Sequence, residues 1–259
     1  MSLKSILEDQ TLLPDEVVLV VDGPVGALLD AELHSATARY GGKLKLLRQE
    51  RNMGLGHALN IGLLYCSHEL VARMDTDDIA AAERFRTQID FLDAHPEVAV
   101  LGANIEEFNQ VPGDLGCCRK LPEKAAELYE YGKFRSPVNH PVIVFRKSAV
   151  LDAGSYNGDL RLFEDFSLFI RMLHKGYHFH NLQQVLLHFR VGDGTASIKR
   201  RSGLNYARNE LKLGLFAHRI GYLNVFQLIR FVLLRVPLRL LPADIILFVY
   251  SKFLRPKRT

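Results

Sequence analysis

The chain has 259 residues, is 48% hydrophobic and carries 33 Lys and Arg against 29 Asp and Glu, a net charge of +4. That size and apolar content suit one domain with an appendage, and the absence of repeats and low-complexity segments excludes solenoid and disordered classes. Three cysteines, two of them adjacent (Cys66, Cys117, Cys118), have no metal-site spacing and exclude a disulfide framework, which implies a reduced, cytosolic setting.

Residues 3–11 read as a short helix, with Leu3, Ile6 and Leu7 on one face and no apolar core of a secretory leader. Residues 16–21 form a continuous β-branched run, the pattern of a parallel strand covered on both faces, and end at Asp22-Gly23-Pro24. A helical pattern over 28–40 is stopped by Gly41-Gly42, and 43–47 gives a second strand. The loop 52–57, with Gly54 and Gly56, leads into a helix through Leu63. A third strand then ends at Asp75. This helix–strand order predicts an α/β fold with a doubly wound, mostly parallel sheet. A helix over 84–94 and a strand at 98–101 follow, then a less regular stretch from 106 to 136. An amphipathic helix runs from Phe163 to about Lys175, with Gly176 as its cap.

Beyond residue 197 the character changes. From Lys199 onward there are 13 Lys and Arg against two acids, Glu210 and Asp244, a net of +11 that leaves −7 on the remainder. Helical character is expected over 204–217, and residues 222–234 and 238–250 are strongly apolar. Pro237, Pro242 and the charges Arg235, Arg239 and Asp244 argue against a membrane span. They favour a segment lying in an anionic membrane interface, and the interleaving with Leu, Ile and Phe disfavours nucleic acid as partner.

The chemistry concentrates in Arg73-Met74-Asp75-Thr76-Asp77-Asp78, where an apolar strand delivers three carboxylates at its C-terminal tip. Carboxylates this close repel each other unless a cation sits among them, and strand tips of this kind are where ligands bind in open α/β sheets. A divalent metal holding a polyphosphate meets that requirement. A solvated turn or a cap for the following helix is the alternative. A second acidic pair, Glu164-Asp165, opens a helix, where the macrodipole alone would favour one acid.

Taken together, the run ending in Asp22-Gly23-Pro24, the segment Asn52-x-Gly54-Leu55-Gly56-x-Ala58-Leu59-Asn60-x-Gly62, the 73–78 motif and Phe163-Glu164-Asp165 resemble family 2 glycosyltransferases of the GT-A fold. They are most similar to bacterial exopolysaccharide enzymes of the amylovoran type. The matches keep their order across residues 3–197. By this resemblance, residues 1–198 form the transferase domain, with a donor half near 1–102 and an acceptor half near 103–198, and 199–259 form a helical membrane-associating tail. The resemblance further implies that Asp77 coordinates Mg²⁺ or Mn²⁺ on the diphosphate of a nucleotide-sugar donor and that Asp75 faces the ribose and sugar. Hard oxygen ligands suit those metals.

Other roles are implied in the same way. Asp22 stands where relatives hold the base or ribose, with a turn-forming Asp as the alternative. Asn52 is a donor-side candidate, although Asn52 and Asn60 equally suit bracing of their loop. Asp165 is the implied general base of an inverting transfer, and Glu164 and His140 are acceptor-side candidates, His140 equally suiting a structural role. Arg190 is a candidate phosphate contact. The acceptor expected is polyprenyl-linked or free saccharide, and the location expected is the cytoplasmic face of the bacterial inner membrane, peripherally bound. A nucleotidyltransferase is the competing enzyme class, although the activating Gly-rich loop it needs is not seen. An inactive nucleotide-binding scaffold is the third reading, because the resemblance places one further strand, in mid-sheet, ahead of the first helix. The oligomeric state is open.

Overall fold

The computed structural model describes residues 1–158, 160, 162–192 and 202–241. Residues 193–201, most of the apolar run 238–250 (from 242) and the basic residues after it lie outside the described residues. The elements are α1 (Ser2–Leu7), β1 (Val17–Val21), α2 (Ala27–Tyr40), β2 (Leu44–Arg48), α3 (Leu55–Tyr65), β3 (Leu70–Ala72), β4 (Ile79–Ala80), α4 (Arg84–Ala94) and β5 (Val98–Phe108). They continue as β6 (Cys117–Arg119), α5 (Ala125–Gly132), β7 (Val144–Arg146), α6 (Lys147–Asp152), α7 (Glu164–His174), β8 (His178–Arg190), α8 (Leu204–Arg219) and α9 (Val225–Leu240).

The fold is α/β, with its strands in two groups. β1 and β2 pair in parallel, Val17 opposite Leu44 through Val21 opposite Arg48. The second group runs β3-β7-β5-β8-β4, with β6 on β5. Of its pairings, only β5–β8 is parallel; β7 lies antiparallel to both β3 and β5, and β4 antiparallel to β8. The sheet is therefore mixed where a mostly parallel one was expected. The cause is β7, which returns after α5 and inserts between β3 and β5 in the opposite sense. Among the described residues β1 pairs only with β2 and β3 only with β7, and β1 is half-buried along its whole length instead of being covered on both faces. Among the described residues no strand pairing joins the two groups. α3 spans the two groups. Gly62 lies against Val20, and Gly56 lies against the start of α7.

β5 is the centre of the core, buried at nearly every position because it is flanked by β7 and β8. Gly102 is required there: a Cβ would lie 2.1 Å from Asn181 Oδ1, whose amide donates to the carbonyls of Pro122 and Pro137. α7 packs Phe166, Leu168, Phe169, Ile170, Met172 and Leu173 into the same core. So does the helical tail, through Leu213, Ala217, Tyr222, Leu223 and Phe231. The helix over 204–217 forms as expected, while the next one runs unbroken through Pro237, opened by a capping box between Asn224 and Gln227. Among the described residues no helix is long and apolar enough to cross a membrane.

The tail is fastened by a buried ion cluster. Glu210 of α8 is fully buried; Oε1 accepts from Arg235 Nε at 2.5 Å and Oε2 from Arg239 Nε at 2.7 Å. Arg235 also donates to the Phe134 carbonyl and lies over the rings of Phe166 and Phe231. Removing one partner of such a cluster leaves buried charge without compensation. Glu210→Ala should therefore lower unfolding stability by roughly 3–5 kcal/mol in urea titrations, while Leu215→Ser on the exposed side of α8 should change it little.

Candidate active site

The third strand stops at Ala72, short of Asp75, because Arg73 turns its side chain inward and gathers the following loop around it. Arg73 Nη1 donates to Asp75 Oδ2 at 2.9 Å and Nη2 to Asp75 Oδ1 at 2.5 Å, a bidentate pair. Its own carbonyl accepts from Nη2 of Arg84 at 2.6 Å, and Arg84 is wholly buried beneath the loop. Burial pulls the Arg84 guanidinium down to about 9. The Asp75 carbonyl accepts from the Asp78 N–H, which closes the turn.

The three carboxylates of this loop thus have different surroundings. Asp75 is tied to Arg73. Asp78 is fully buried and accepts from the Arg190 backbone N–H at 2.9 Å; burial, with Asp75 and Asp77 nearby, pushes it up to about 7. It is neither a solvated turn residue nor a simple helix cap. Asp77 is exposed, and among the described residues no hydrogen bond or ion pair engages its carboxylate. Arg190 braces the same loop: Nε donates to the Asp77 carbonyl at 3.1 Å, Nη1 to the Asn109 carbonyl at 2.8 Å, and the guanidinium stacks on Phe108. The side chain expected to contact phosphate is therefore engaged in holding the Asp77 backbone.

Just after β1, Asp22 accepts from the N–H groups of Met53 and Gly54, both at 2.8 Å. It pins the glycine loop at the start of α3. Gly23, at φ +104°, lets that loop approach: a Cβ there would lie 2.8 Å from Asn52 N. Asn52 is exposed on the loop. Asn60 proves to be a brace, its amide making two bonds to the Tyr156 backbone. Gly56 brings the loop against Glu164, since a Cβ at this glycine would be 3.1 Å from the Glu164 Cβ.

The second acidic pair also divides. Glu164 is buried, and burial together with the neighbouring Asp165 charge pushes it up to about 7. Asp165, the first-turn acid with a 26% exposed side chain, accepts from Phe166 N–H at 2.6 Å and lies 3.8 Å from Nδ1 of His140. His140 is buried, with Nε2 3.1 Å from the Tyr156 hydroxyl, and burial holds its imidazole well below the usual range, hence neutral. Four buried polar atoms here lack a hydrogen-bond partner among the described residues: Arg73 Nε, Arg84 Nη1, Asp78 Oδ2 and Glu164 Oε2. Such atoms cluster where water or ligand completes the structure. A cavity of about 540 Å³ opens beside the loop, lined by Met53, His57, Gly158, Leu162, Asn205, Asn209 and Lys212.

Arg73, Arg84 and Tyr156 were not singled out by sequence. Arg73 did leave a signal, as the one charge interrupting an apolar strand. Arg84 looked like an ordinary helix-start residue, and nothing in the sequence set Tyr156 apart.

The donor set suits a hard divalent cation bound mainly by substrate. Among the described residues no three potential ligands converge into a protein-only cage, and Asp77 offers an unengaged carboxylate at the surface. Mg²⁺-like ions keep one or two carboxylates beside substrate phosphates.

Burial of Glu164 has a measurable consequence. Between the ordinary carboxyl value of 4.5 and about 7, the folded protein holds a proton that the unfolded chain has released. Stability therefore falls as pH rises through that window and stays low above it. Glu164→Gln should remove this component, narrowing the difference in unfolding free energy between pH 5 and pH 8 by up to about 3 kcal/mol. Denaturant titrations at the two pH values measure it.

Comparison with known proteins agrees with this geometry. Residues 2–148 match the family described as Glycosyl transferase family 2. The chain is 39% identical over 254 residues to an Escherichia coli UDP-Gal:alpha-D-GlcNAc-diphosphoundecaprenol beta-1,3-galactosyltransferase, covering 98% of this chain and 90% of the relative. It is 37% identical over 248 residues to the amylovoran biosynthesis glycosyltransferase AmsE of Erwinia amylovora, covering 95% and 90%. Among solved structures, Staphylococcus aureus TarS 1–349 in complex with UDP-GlcNAc superposes with a TM-score of 0.62 at 19% identity, covering 89% of this chain and 65% of that one, a likeness of fold. The nucleotidyltransferase reading falls away, and the chain belongs to glycosyl transferase family 2.

Proposed function

We propose that this enzyme transfers a hexose from a nucleotide-sugar donor to a lipid-linked saccharide, with inversion at the anomeric carbon, during assembly of a bacterial surface polysaccharide. It works peripherally at the cytoplasmic face of the inner membrane. The observation that carries the reading is the division of labour among the site's acids: Asp77 is exposed and unengaged beside a clamped Asp75, while a partly exposed Asp165 stands next to a buried Glu164. The E. coli relative's name supplies the first donor to try, UDP-galactose, and the acceptor class, a sugar on a diphosphate-linked polyprenol.

Asp77 would hold Mg²⁺ or Mn²⁺, which when bound neutralises the donor diphosphate as it leaves. The residues of this chain do the rest. Asp22, by accepting from the Met53 and Gly54 N–H groups, fixes the glycine loop and leaves the exposed Asn52 at its tip to meet the donor. Asp165 takes the proton of the acceptor hydroxyl as that oxygen bonds to the anomeric carbon and the carbon–phosphate-oxygen bond breaks. Neutral His140 stands beside it, oriented by Tyr156. Glu164, raised to about 7 and so protonated below neutrality, then adds no full negative charge beside Asp165.

Two substitutions test this. Asp77→Asn should abolish Mn²⁺-dependent binding of UDP-galactose in calorimetry while the circular dichroism stays unchanged; retained metal-dependent binding would remove Asp77 from the role. Asp165→Asn should keep donor affinity but lower turnover by roughly 100-fold or more, as loss of a general base does. Loss of donor affinity with turnover intact would make Asp165 a donor-side residue instead.

A further inference from the structure

α9 is turned inside out. Its basic residues Arg235 and Arg239 face inward to Glu210, whereas much of its solvent side is apolar. Phe226 is 83% and Leu233 67% exposed, and Val225, Ile229, Leu234 and Leu240 are each about half exposed or more. Phe226, Ile229, Leu233 and Leu240 follow helical spacing, so they share one face, with Arg230 and Pro237 between them. An exposed apolar face of this extent marks a docking surface. The neighbouring side of α8 alternates exposed Leu204, Leu211 and Leu215 with exposed Arg208, Lys212 and Arg219.

Charge selects the occupant. The single acid between residues 202 and 241 is Glu210, which is fully buried. The outer surface of the α8–α9 hairpin therefore presents apolar side chains with cations and no anion. A second copy of the hairpin would set cation against cation. The segment 242–259 carries Lys252, Arg255, Lys257 and Arg258 against Asp244 alone and so is itself net cationic. A bilayer with anionic headgroups satisfies both features, acyl chains for the apolar face and phosphates for the arginines.

We propose that the α8–α9 hairpin is the membrane-docking surface of this enzyme, lying in the interface of an anionic bilayer with Phe226, Ile229 and Leu233 inserted and Arg208 and Arg219 on the headgroups. This deepens, and rests on, the reading that the acceptor is lipid-borne. The hairpin also supplies Asn205, Asn209 and Lys212 to the cavity beside the glycine loop, so docking it sets that cavity next to the membrane.

The test is co-sedimentation of the full chain with phosphatidylcholine vesicles, with and without about 30 mol% phosphatidylglycerol. The wild type should bind the anionic vesicles at least about ten-fold more strongly than the neutral ones. The triple variant Phe226→Ser, Ile229→Ser, Leu233→Ser should lose about ten-fold or more on both. Arg208→Gln with Arg219→Gln should lose only the preference for anionic vesicles. All these positions are exposed, and unchanged thermal unfolding checks that the variants fold. Wild-type protein that stays in solution with anionic vesicles, or a triple variant that binds as well as wild type, overturns the proposal. So does a wild-type dimer in analytical ultracentrifugation that the triple variant dissolves, since the face would then belong to a second copy. Transfer to a short-chain, water-soluble acceptor, measured on the same proteins, should be unaffected by the triple variant. Vesicle binding without transfer by wild type would fail the transferase reading and leave the docking surface standing. Transfer without vesicle binding would do the reverse.

Discussion

Two buried guanidinium groups under an acidic loop are what the rest of the site depends on. A buried charge must be paired or hydrogen-bonded, and here Arg84 holds the carbonyl of Arg73 while Arg73 clamps Asp75. Those cations allow Asp75, Asp77 and Asp78 to crowd onto one turn. They also make the three acids unlike one another: one is clamped, one is buried and pushed up to about 7, and one is left at the surface. A loop of equal, free carboxylates would repel itself open. The fixed loop presents a single unengaged carboxylate, that of Asp77, which the proposed function assigns to a substrate-borne metal.

The same logic repeats at α7, where burial pushes Glu164 up to about 7 while Asp165 lies beside neutral His140. The two acidic clusters come from distant parts of the sequence, yet Arg73 and Asp75 lie close enough to act on Glu164, and α3 holds the Glu164 side in place through Gly56 and Asn60. The glycine loop therefore acts as a spacer that sets α3 against the start of α7. Arg190 and Asp22, which the sequence offers as ligand contacts, also fasten this geometry through their bonds to the Asp77 carbonyl and to the glycine loop.

Much of this was legible beforehand because it is local. The boundaries of α2, α4 and α7 follow from apolar periodicity and from Gly41 and Gly176, and the acidic motifs mark strand and helix ends. What was not legible is long-range. No local pattern reveals that β7 inserts antiparallel between β3 and β5, or that β5 continues to Phe108 through Asn104 and two glutamates. Likewise a count of charges reads Arg235 and Arg239 as part of a free basic tail, whereas burial of Glu210 draws both inward and turns the apolar side of the helix outward. A residue's role depended on its partner, and partners lay up to 113 positions away, as for Arg190 and Asp77.

The most direct test of the central claim is the stereochemistry of transfer. Recombinant full-length protein would be given UDP-galactose, Mn²⁺ and a synthetic N-acetylglucosamine diphosphate lipid, and the anomeric proton of the new linkage read by NMR. The account predicts a single product with β configuration from the α-linked donor, and none when the metal is chelated, because Asp165 directs one displacement with the diphosphate held at Asp77. An α-linked product, or equal yield in the presence of chelator, would contradict it.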